Sequence, residues 1–251
     1  VASLSVVIIT RNEEGQVREC LESCAFADEV VVVDSFSTDR TVDICRDHTV
    51  RVIQEQWRGF GRQKNFAIEQ AKGPWIFNLD ADERITPALR AEIEAITAAD
   101  EPQPAGYYVA RRNYFGDRWV RHCGWYPDYN LRLFRKGAGW FNERAVHEAV
   151  ELTGHARAGY LRHPMEHYTY ASISDFMERL ERYTTLAAEE AFQAGRRGGL
   201  LDLTLRPPFT FLKMYLVRRG FLEGSFGLTL SGLYAIYTYV KYAKLREMSR
   251  R

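Results

Sequence analysis

Several protein classes are excluded by what this 251-residue chain lacks. It has four cysteines and no Cys-x-x-Cys: Cys20 and Cys24 stand one helical turn apart, and Cys45 and Cys123 stand alone. Neither a zinc-binding cysteine set nor a disulfide framework is expected, and reduced, buried thiols are. No glycine spacing matches a dinucleotide fingerprint or a phosphate-binding P-loop, so nothing argues for a dehydrogenase or an ATPase. Internal repeats and low-complexity tracts are absent. The charge-free run from Gly224 to Val240 is broken by Gly227, Thr229, Ser231, Gly232 and Thr238 and falls short of a membrane span. The chain opens on a strand, with no basic segment leading into an apolar one, so no export signal is expected and a cytoplasmic protein is. A formal net charge of +1 accompanies 46% hydrophobic residues. That is enough to bury one sizeable domain with an appendage, and no nucleic-acid partner is expected.

What is present in the first half is a series of short apolar runs, each ending in polar residues and followed by a helical pattern. Leu4 to Ile9 leads into Thr10-Arg11-Asn12-Glu13-Glu14-Gly15 and a helix through Val17, Cys20, Leu21 and Cys24; Val30 to Val33 leads into Asp34-Ser35-Phe36 and a helix near Thr41. Val50 to Ile53 is a third strand, followed by a helix from Gln63 to Ala71, and Trp75 to Leu79 is a fourth. Strands alternating with helices predict βαβ units and a mostly parallel sheet. In such a sheet ligands bind beyond the carboxyl ends of the strands, where Thr10 to Glu13, Asp34 and Asp80 to Asp82 all fall.

The fourth strand releases Asn78-Leu79-Asp80-Ala81-Asp82-Glu83. If the strand continues through them, Asp80 and Asp82 leave it on one side and face one ligand, and two carboxylates aimed at one point call for a cation such as Mg²⁺ or Mn²⁺. The bland reading, that they cap the next helix, is weakened because Thr86 can be that cap and Pro87 the first helical residue. Asp39 reads as an N-cap for the helix near Thr41. Gly59-Phe60-Gly61-Arg62-Gln63-Lys64 sets basic side chains at a helix N-terminus, a place suited to an anion or to a solvated turn.

The combination VVIITRNEE, VVVDSFSTDRT, GRQKNFAIEQAKGPWIFNLDADE, WYPDYNLRLFRKG and AVHE resembles the family 2 glycosyltransferases of the GT-A fold. Within them it is most similar to the branch that adds glucose to the lipopolysaccharide inner core. The resemblance implies an α/β, Rossmann-like nucleotide-binding domain, a UDP-sugar donor, a divalent cation, Mg²⁺ or Mn²⁺, inversion at the anomeric carbon and a lipid-linked saccharide acceptor. It assigns Thr10 and the turn Arg11, Asn12 and Glu13 to the nucleoside, Asp34 and Ser35 to base or ribose, and Arg62 and Lys64 to the diphosphate or base. Asp80 and Ala81 go to the ribose side, and Asp82 with Asp80 and His167 to the metal, His163 being a substitute. The usual Asp-Asp pair is here Asp34-Ser35, and the small residue expected next is Phe36. An inverting transfer needs a general base for the acceptor hydroxyl, and Glu148 stands where the family has that acidic residue, with Asp128 in reserve. Trp119, Trp125, Tyr126 and Trp140, with His147, are the acceptor side, one or two of the aromatics being expected to stack on sugar.

Residues 196–251 carry 11 Lys and Arg against 3 Asp and Glu, net +8, while the remainder is net −7. Together with Phe209, Phe211, Tyr215 and Phe221 this predicts a helix pair on an anionic membrane surface, or else packed on the catalytic part or a second subunit. The expected organisation is a catalytic domain over 1–170 and a helical membrane-proximal extension over 171–251, peripheral at the cytoplasmic face of the inner membrane. A helix from Ser172 to about Gln193 connects them. Two other classes are open. A nucleotidyltransferase would use the same crevice, but Val6 to Gly15 lacks its glycine-rich, basic signature; a non-catalytic membrane scaffold would leave Asp80, Asp82 and Glu148 without a role.

Overall fold

The computed structural model describes residues 4–48, 50–99, 104–142 and 148–250. In chain order the strands and helices begin β1 (Leu4–Thr10), α1 (Val17–Ser23), β2 (Glu29–Asp34), α2 (Thr41–Arg46), β3 (Arg51–Gln54), α3 (Phe60–Gln70), β4 (Trp75–Asn78), β5 (Glu83–Arg84) and α4 (Pro87–Thr97). There follow β6 (Gly106–Phe115), β7 (Arg118–Trp119), β8 (Asp128–Arg135), β9 (Gly139–Phe141), β10 (Val150–Leu152), β11 (Ala158–Tyr160) and β12 (Met165–Tyr170). The helices α5 (Ile173–Gln193), α6 (Leu200–Thr204), α7 (Arg206–Leu212) and α8 (Ser225–Met248) complete the chain.

Two units divide these elements: Val1–Arg111 with Asp128–Tyr168, and Arg112–Pro127 with Thr169–Arg251. Arg112–Pro127, expected in the catalytic part, thus group with the C-terminal helices. Packing is the reason. Phe115, Val120, Cys123 and Trp125 share one apolar core with Phe176, Leu180, Met214, Leu230 and Leu233.

In the first unit the main sheet runs β3-β2-β1-β4-β8-β6-β12-β5. β3, β2, β1 and β4 are mutually parallel, whereas β8 is antiparallel to β4 and β6, and β5 to β12. The sheet is therefore parallel only over its first four strands and mixed beyond them. β1 is central because both its faces are apolar. Leu4, Val6 and Ile8 pack with Val17, Cys20 and Leu21 of α1, while Val7 packs with Ala67, Ile68 and Ala71 at α3. This is the period-2 split of a strand covered on both sides, and each Val or Ile so buried contributes roughly 1.5–3 kcal/mol relative to exposure.

The helix expected from Gln63 starts three residues earlier, at Phe60, because Gly59 takes φ +92° and turns the chain into it. Thr86 caps α4 as expected: its Oγ1 accepts from Leu89 N at 3.2 Å, with Pro87 in the first turn. Asp39 lies one residue outside the cap position of α2, which is Arg40. Its carboxylate accepts instead from Thr41 N at 3.0 Å and Glu14 N at 3.1 Å. Burial works against ionisation of Asp39, but its bonds from Thr41 and Glu14 outweigh it and lower its pKa.

All four cysteines are free and buried. Burial pushes the thiols of Cys24 and Cys45 up to about 12. At pH 8 that cuts their thiolate fraction by roughly three orders of magnitude relative to free cysteine. Folded protein is therefore expected to show almost no reaction with Ellman's reagent until denaturant is added, when four thiols titrate. Rapid labelling of one or more thiols in the native state would refute this.

In the second unit, Ser172 Oγ accepts from Asp175 N at 3.1 Å and caps α5, whose buried face is Phe176, Leu180, Thr184 and Ala188. A short π-helical turn, Lys213–Val217, and a 3₁₀ turn, Gly220–Glu223, lead into α8. There a Cβ on Gly227 would lie 1.8 Å from the carbonyl oxygen of Gly220, so only glycine fits. Among the described residues no helix is long and apolar enough to cross a membrane.

Candidate active site

The parallel register sets the first half of the site. Thr10 pairs with Asp34, and Asp34 with Gln54, so three polar residues line up across the carboxyl ends of β1, β2 and β3. Asp34 is fully buried; it accepts from Thr10 Oγ1 at 3.1 Å, Ser37 N at 2.9 Å, Gln54 Nε2 at 3.4 Å and the Ser37 hydroxyl. Ser35, also buried, accepts from Gln63 Nε2 at 3.2 Å. The loops above are tied together: Asn12 Oδ1 accepts from Thr38 N at 2.8 Å, and Asn12 N and Glu13 N donate to Ser37 Oγ at 2.8 Å and Thr41 Oγ1 at 2.7 Å. Arg11 is exposed beside them. Asn12 and Phe36 both take left-handed conformations, φ 56° and 55°. That explains why a small residue suits position 36, since a bulky side chain is strained there. Phe36 is nonetheless present, 49% exposed.

The second half is built on the segment after β4. The strand ends at Asn78, and Glu83 N donates to Asp80 O at 2.9 Å to close a turn. Asp80 and Asp82 therefore lie in a turn, where the strand's same-side rule does not apply, and they face different partners. Asp80 Oδ1 takes Lys64 Nζ at 2.8 Å and its Oδ2 takes Arg132 Nη2 at 2.9 Å. Lys64 also holds Glu148 Oε1 at 2.9 Å, Arg132 holds Glu83, and Arg111 joins Glu83 at 3.2 Å to Asp128 at 2.6 Å. The result is one alternating ion-pair chain, Glu148–Lys64–Asp80–Arg132–Glu83–Arg111–Asp128. The two carboxylates expected as candidate bases stand at its ends.

Burial makes this chain consequential. The side chains of Lys64, Arg132 and Glu83 are 5%, 5% and 0% exposed. Burial works to raise the pKa of Asp80, but Lys64 and Arg132 outweigh it and hold that carboxyl well below the ordinary carboxylate range. Burial, with the Asp80 charge adding to it, pushes Glu83 upward against the pull of Arg132 and Arg111. Lys64 is expected at the donor, yet its ammonium is committed to two carboxylates. α3 turns it inward on the face that carries Ala67 and Ile68, while Arg62 stays exposed. With both oxygens taken by cations, Asp80 is also a poor ligand for a third.

Asp82 Oδ2 and His167 Nε2 lie 3.4 Å apart, brought together by the β5–β12 pairing, and Tyr168 N donates to Asp82 O at 2.9 Å. A hard cation about 2.1 Å from each of two adjacent ligands sets those ligands about 3 Å apart, so this pair fits with little adjustment. Among the described residues no group of three His, Cys, Asp or Glu is placed to hold a metal, so the expected trio with Asp80 is not assembled. The carboxylate suits either Mn²⁺ or Mg²⁺ and the imidazole beside it favours Mn²⁺, with the remaining ligands to come from water and phosphate.

The acceptor aromatics divide. Trp125 is 7% exposed in the core of the second unit, packed with Phe115, Tyr170 and Tyr234, and is not a sugar platform. Tyr126 meets Trp119 edge-on at 5.4 Å, with Arg112 and Arg121 over the Trp119 ring at 5.0 and 4.4 Å. Trp140 is half-buried on β9 of the first unit. His147 lies outside the described residues. Ala81 is buried, and its carbonyl accepts from Arg84 Nη1 at 3.0 Å. Arg111, Glu83 and Arg132 are the site residues that the motifs do not single out. The available signal was Arg132 between Leu131 and Leu133, a charge inside an apolar strand.

Comparison with known proteins decides what such a site belongs to. Residues 5–150 match Glycosyl transferase family 2. A lipopolysaccharide core biosynthesis glycosyltransferase of Rhizobium meliloti, LpsC, is 34% identical over 97% of this chain and 92% of its own. The chain belongs to glycosyl transferase family 2. An uncharacterized glycosyltransferase of Rickettsia typhi is 30% identical over 98% of this chain and 87% of its own. Among solved structures, the mannosyltransferase PcManGT of Pyrobaculum calidifontis, in complex with GDP-Man and Mn²⁺, is similar with TM-score 0.56 at 17% identity, over 97% of this chain and 87% of that one. TarS of S. aureus in complex with UDP matches with TM-score 0.52 at 20% identity, over 98% and 91%. At these identities the likeness is one of fold, the GT-A fold. The nucleotidyltransferase and scaffold readings fall with the family assignment: this protein is a glycosyltransferase.

Proposed function

We propose that this glycosyltransferase moves a hexose, glucose, from a UDP-sugar to a lipid-linked saccharide such as the lipopolysaccharide inner core, with inversion, at the cytoplasmic face of the inner membrane. The name of the Rhizobium relative supports the acceptor class. The observation that carries the mechanism is the placement of Glu148. Its Oε1 is held by Lys64 at 2.9 Å, and among the described residues its Oε2 has no partner. A carboxylate oxygen so presented can take the proton of the acceptor hydroxyl as it attacks the anomeric carbon. Asp128 is the poorer candidate, because Oδ2 receives two bonds from Arg111, at 2.9 and 2.6 Å, and Oδ1 one from Asn130 at 3.2 Å.

In this reading Thr10, Asp34 and Ser35, with the Arg11–Glu13 turn, border the nucleoside, and the exposed Arg62 reaches the diphosphate. Asp82 and His167 would hold the divalent cation, which supplies charge stabilisation for the departing diphosphate. Lys64 and Arg132 fix Asp80, so the ribose side of the crevice is rigid before the donor arrives.

Glu148→Gln is expected to keep donor affinity and lower turnover on the order of a hundredfold, since the amide accepts no proton. The check is transfer kinetics with a panel of nucleotide sugars in Mn²⁺ or Mg²⁺, beside UDP affinity by calorimetry. A larger loss of turnover in Asp128→Asn would reassign the base, and preference for a donor other than a UDP-hexose would overturn the donor.

A further inference from the structure

Between Leu200 and Leu222 the second unit turns a band of apolar side chains outward. Leu201, Leu205, Phe209, Leu212 and Leu216 are 50–71% exposed and follow one another at four, four, three and four residues. That is the spacing of one helix face. Helical hydrogen bonding continues through the joint of α6 and α7, from Leu205 N to Leu201 O at 2.9 Å and from Phe209 N to Leu205 O at 3.1 Å. Pro207 and Met214 point the other way and are buried. Val217, Phe221 and Leu222, also exposed, widen the stripe at its far end. A contiguous apolar face left in water marks a docking surface.

Charge identifies what docks. Arg196, Arg197, Arg206, Lys213, Arg218 and Arg219 flank the stripe and are exposed. The acids of the same stretch are withdrawn. Asp202 is paired with Arg206 at 2.5 Å. Glu223 is 7% exposed and held by Arg118 at 3.0 Å, by His122 Nδ1 at 2.8 Å and by the Arg121 and His122 amides. What remains outward is aliphatic and aromatic in the middle and cationic at the border. An apolar centre with a border of one sign is the arrangement that an anionic bilayer takes, its acyl boundary receiving the aliphatic and aromatic side chains and its headgroups the cations.

We propose that the Leu200–Leu222 face inserts into the headgroup region of a bilayer that carries anionic lipid. No described helix can cross the membrane, so the attachment is interfacial and reversible. The inference deepens the membrane location proposed above and rests on that part of it alone; vesicle binding is read without the acceptor or the base, and donor hydrolysis serves only as a control for folding.

The whole protein is mixed with phosphatidylcholine vesicles, with and without about one-third phosphatidylglycerol, and bound protein is measured by flotation. Binding is expected only to the anionic vesicles and falls about tenfold as salt is raised, because the cationic border is screened. Leu205→Asp with Phe209→Asp should lower partition about tenfold or more, with donor hydrolysis in solution unchanged. Lys213→Glu with Arg219→Glu, at exposed positions outside any core, gives the same loss should the first variant fold poorly. Equal binding to neutral vesicles, or undiminished binding by both variants, would overturn the proposal. So would a dimer in solution that the apolar variant splits while neither form binds vesicles, which would assign the face to a second copy of the chain.

Discussion

Replacing Asp82 with Ala is expected to abolish divalent-dependent donor binding and to lower transfer on the order of a thousandfold, leaving thermal stability nearly unchanged. The size follows from how little else can serve. His167, 3.4 Å away, would be left as a single ligand, and Asp80 is occupied by Lys64 and Arg132. The fold should tolerate the change, because the turn is held by Glu83 N to Asp80 O and by Tyr168 N to Asp82 O, both backbone bonds that Ala keeps. Calorimetric titration of UDP with and without Mn²⁺, beside transfer rates, is the check. Unaltered Mn²⁺-dependent UDP binding in Asp82→Ala would show that this carboxylate is structural.

A second large effect is expected on stability. Arg132→Met removes the cation shared by Glu83 and Asp80 and leaves Glu83, fully buried, with Arg111 at 3.2 Å, the Asp80 amide and the more distant His167. Breaking a buried pair from one side strands the other charge, at a cost of about 3–5 kcal/mol, so the urea midpoint should fall sharply. Adding Glu83→Gln to that variant should recover part of the loss, because the stranded charge is gone.

The pH dependence has a definite sign. Asp80, held below its unfolded pKa of ~3.9, stabilises the folded state above that pH and loses the contribution as pH falls through its depressed folded value. In Arg132→Met only Lys64 remains to depress Asp80, so acid unfolding should begin at higher pH than in the parent. An unchanged acid transition would mean that Arg132 contributes little to holding Asp80 ionised.

Much of the fold was legible in sequence order. The runs at Leu4–Thr10, Glu29–Asp34 and Trp75–Asn78 are apolar on both faces, which only a strand covered on both sides uses, and Thr86-Pro87 marks a helix start by local chemistry. Thr10 and Asp34 each end an apolar run, so parallel pairing of the two strands sets them side by side. The family, too, could be read from ordered motifs. These features are local or periodic, and a one-dimensional string carries such information.

Tertiary structure decided the rest. The i, i+2 rule would have aimed Asp80 and Asp82 at one ligand, but β4 stops at Asn78 and the turn sends one to Lys64 and Arg132 and the other to His167. Trp125 looked like a sugar platform and is core, because Phe115, Val120, Cys123 and Trp125 pack with α5 and α8. The ion-pair chain joins positions 64, 80, 83, 111, 128, 132 and 148. No spacing foretells it, since which charges meet depends on strand order and on which side of α3 is buried. Residues distant along the chain meet only where hydrophobic packing brings their elements together, and the partner so acquired determines whether a carboxylate holds a metal, takes a proton or only balances a buried cation.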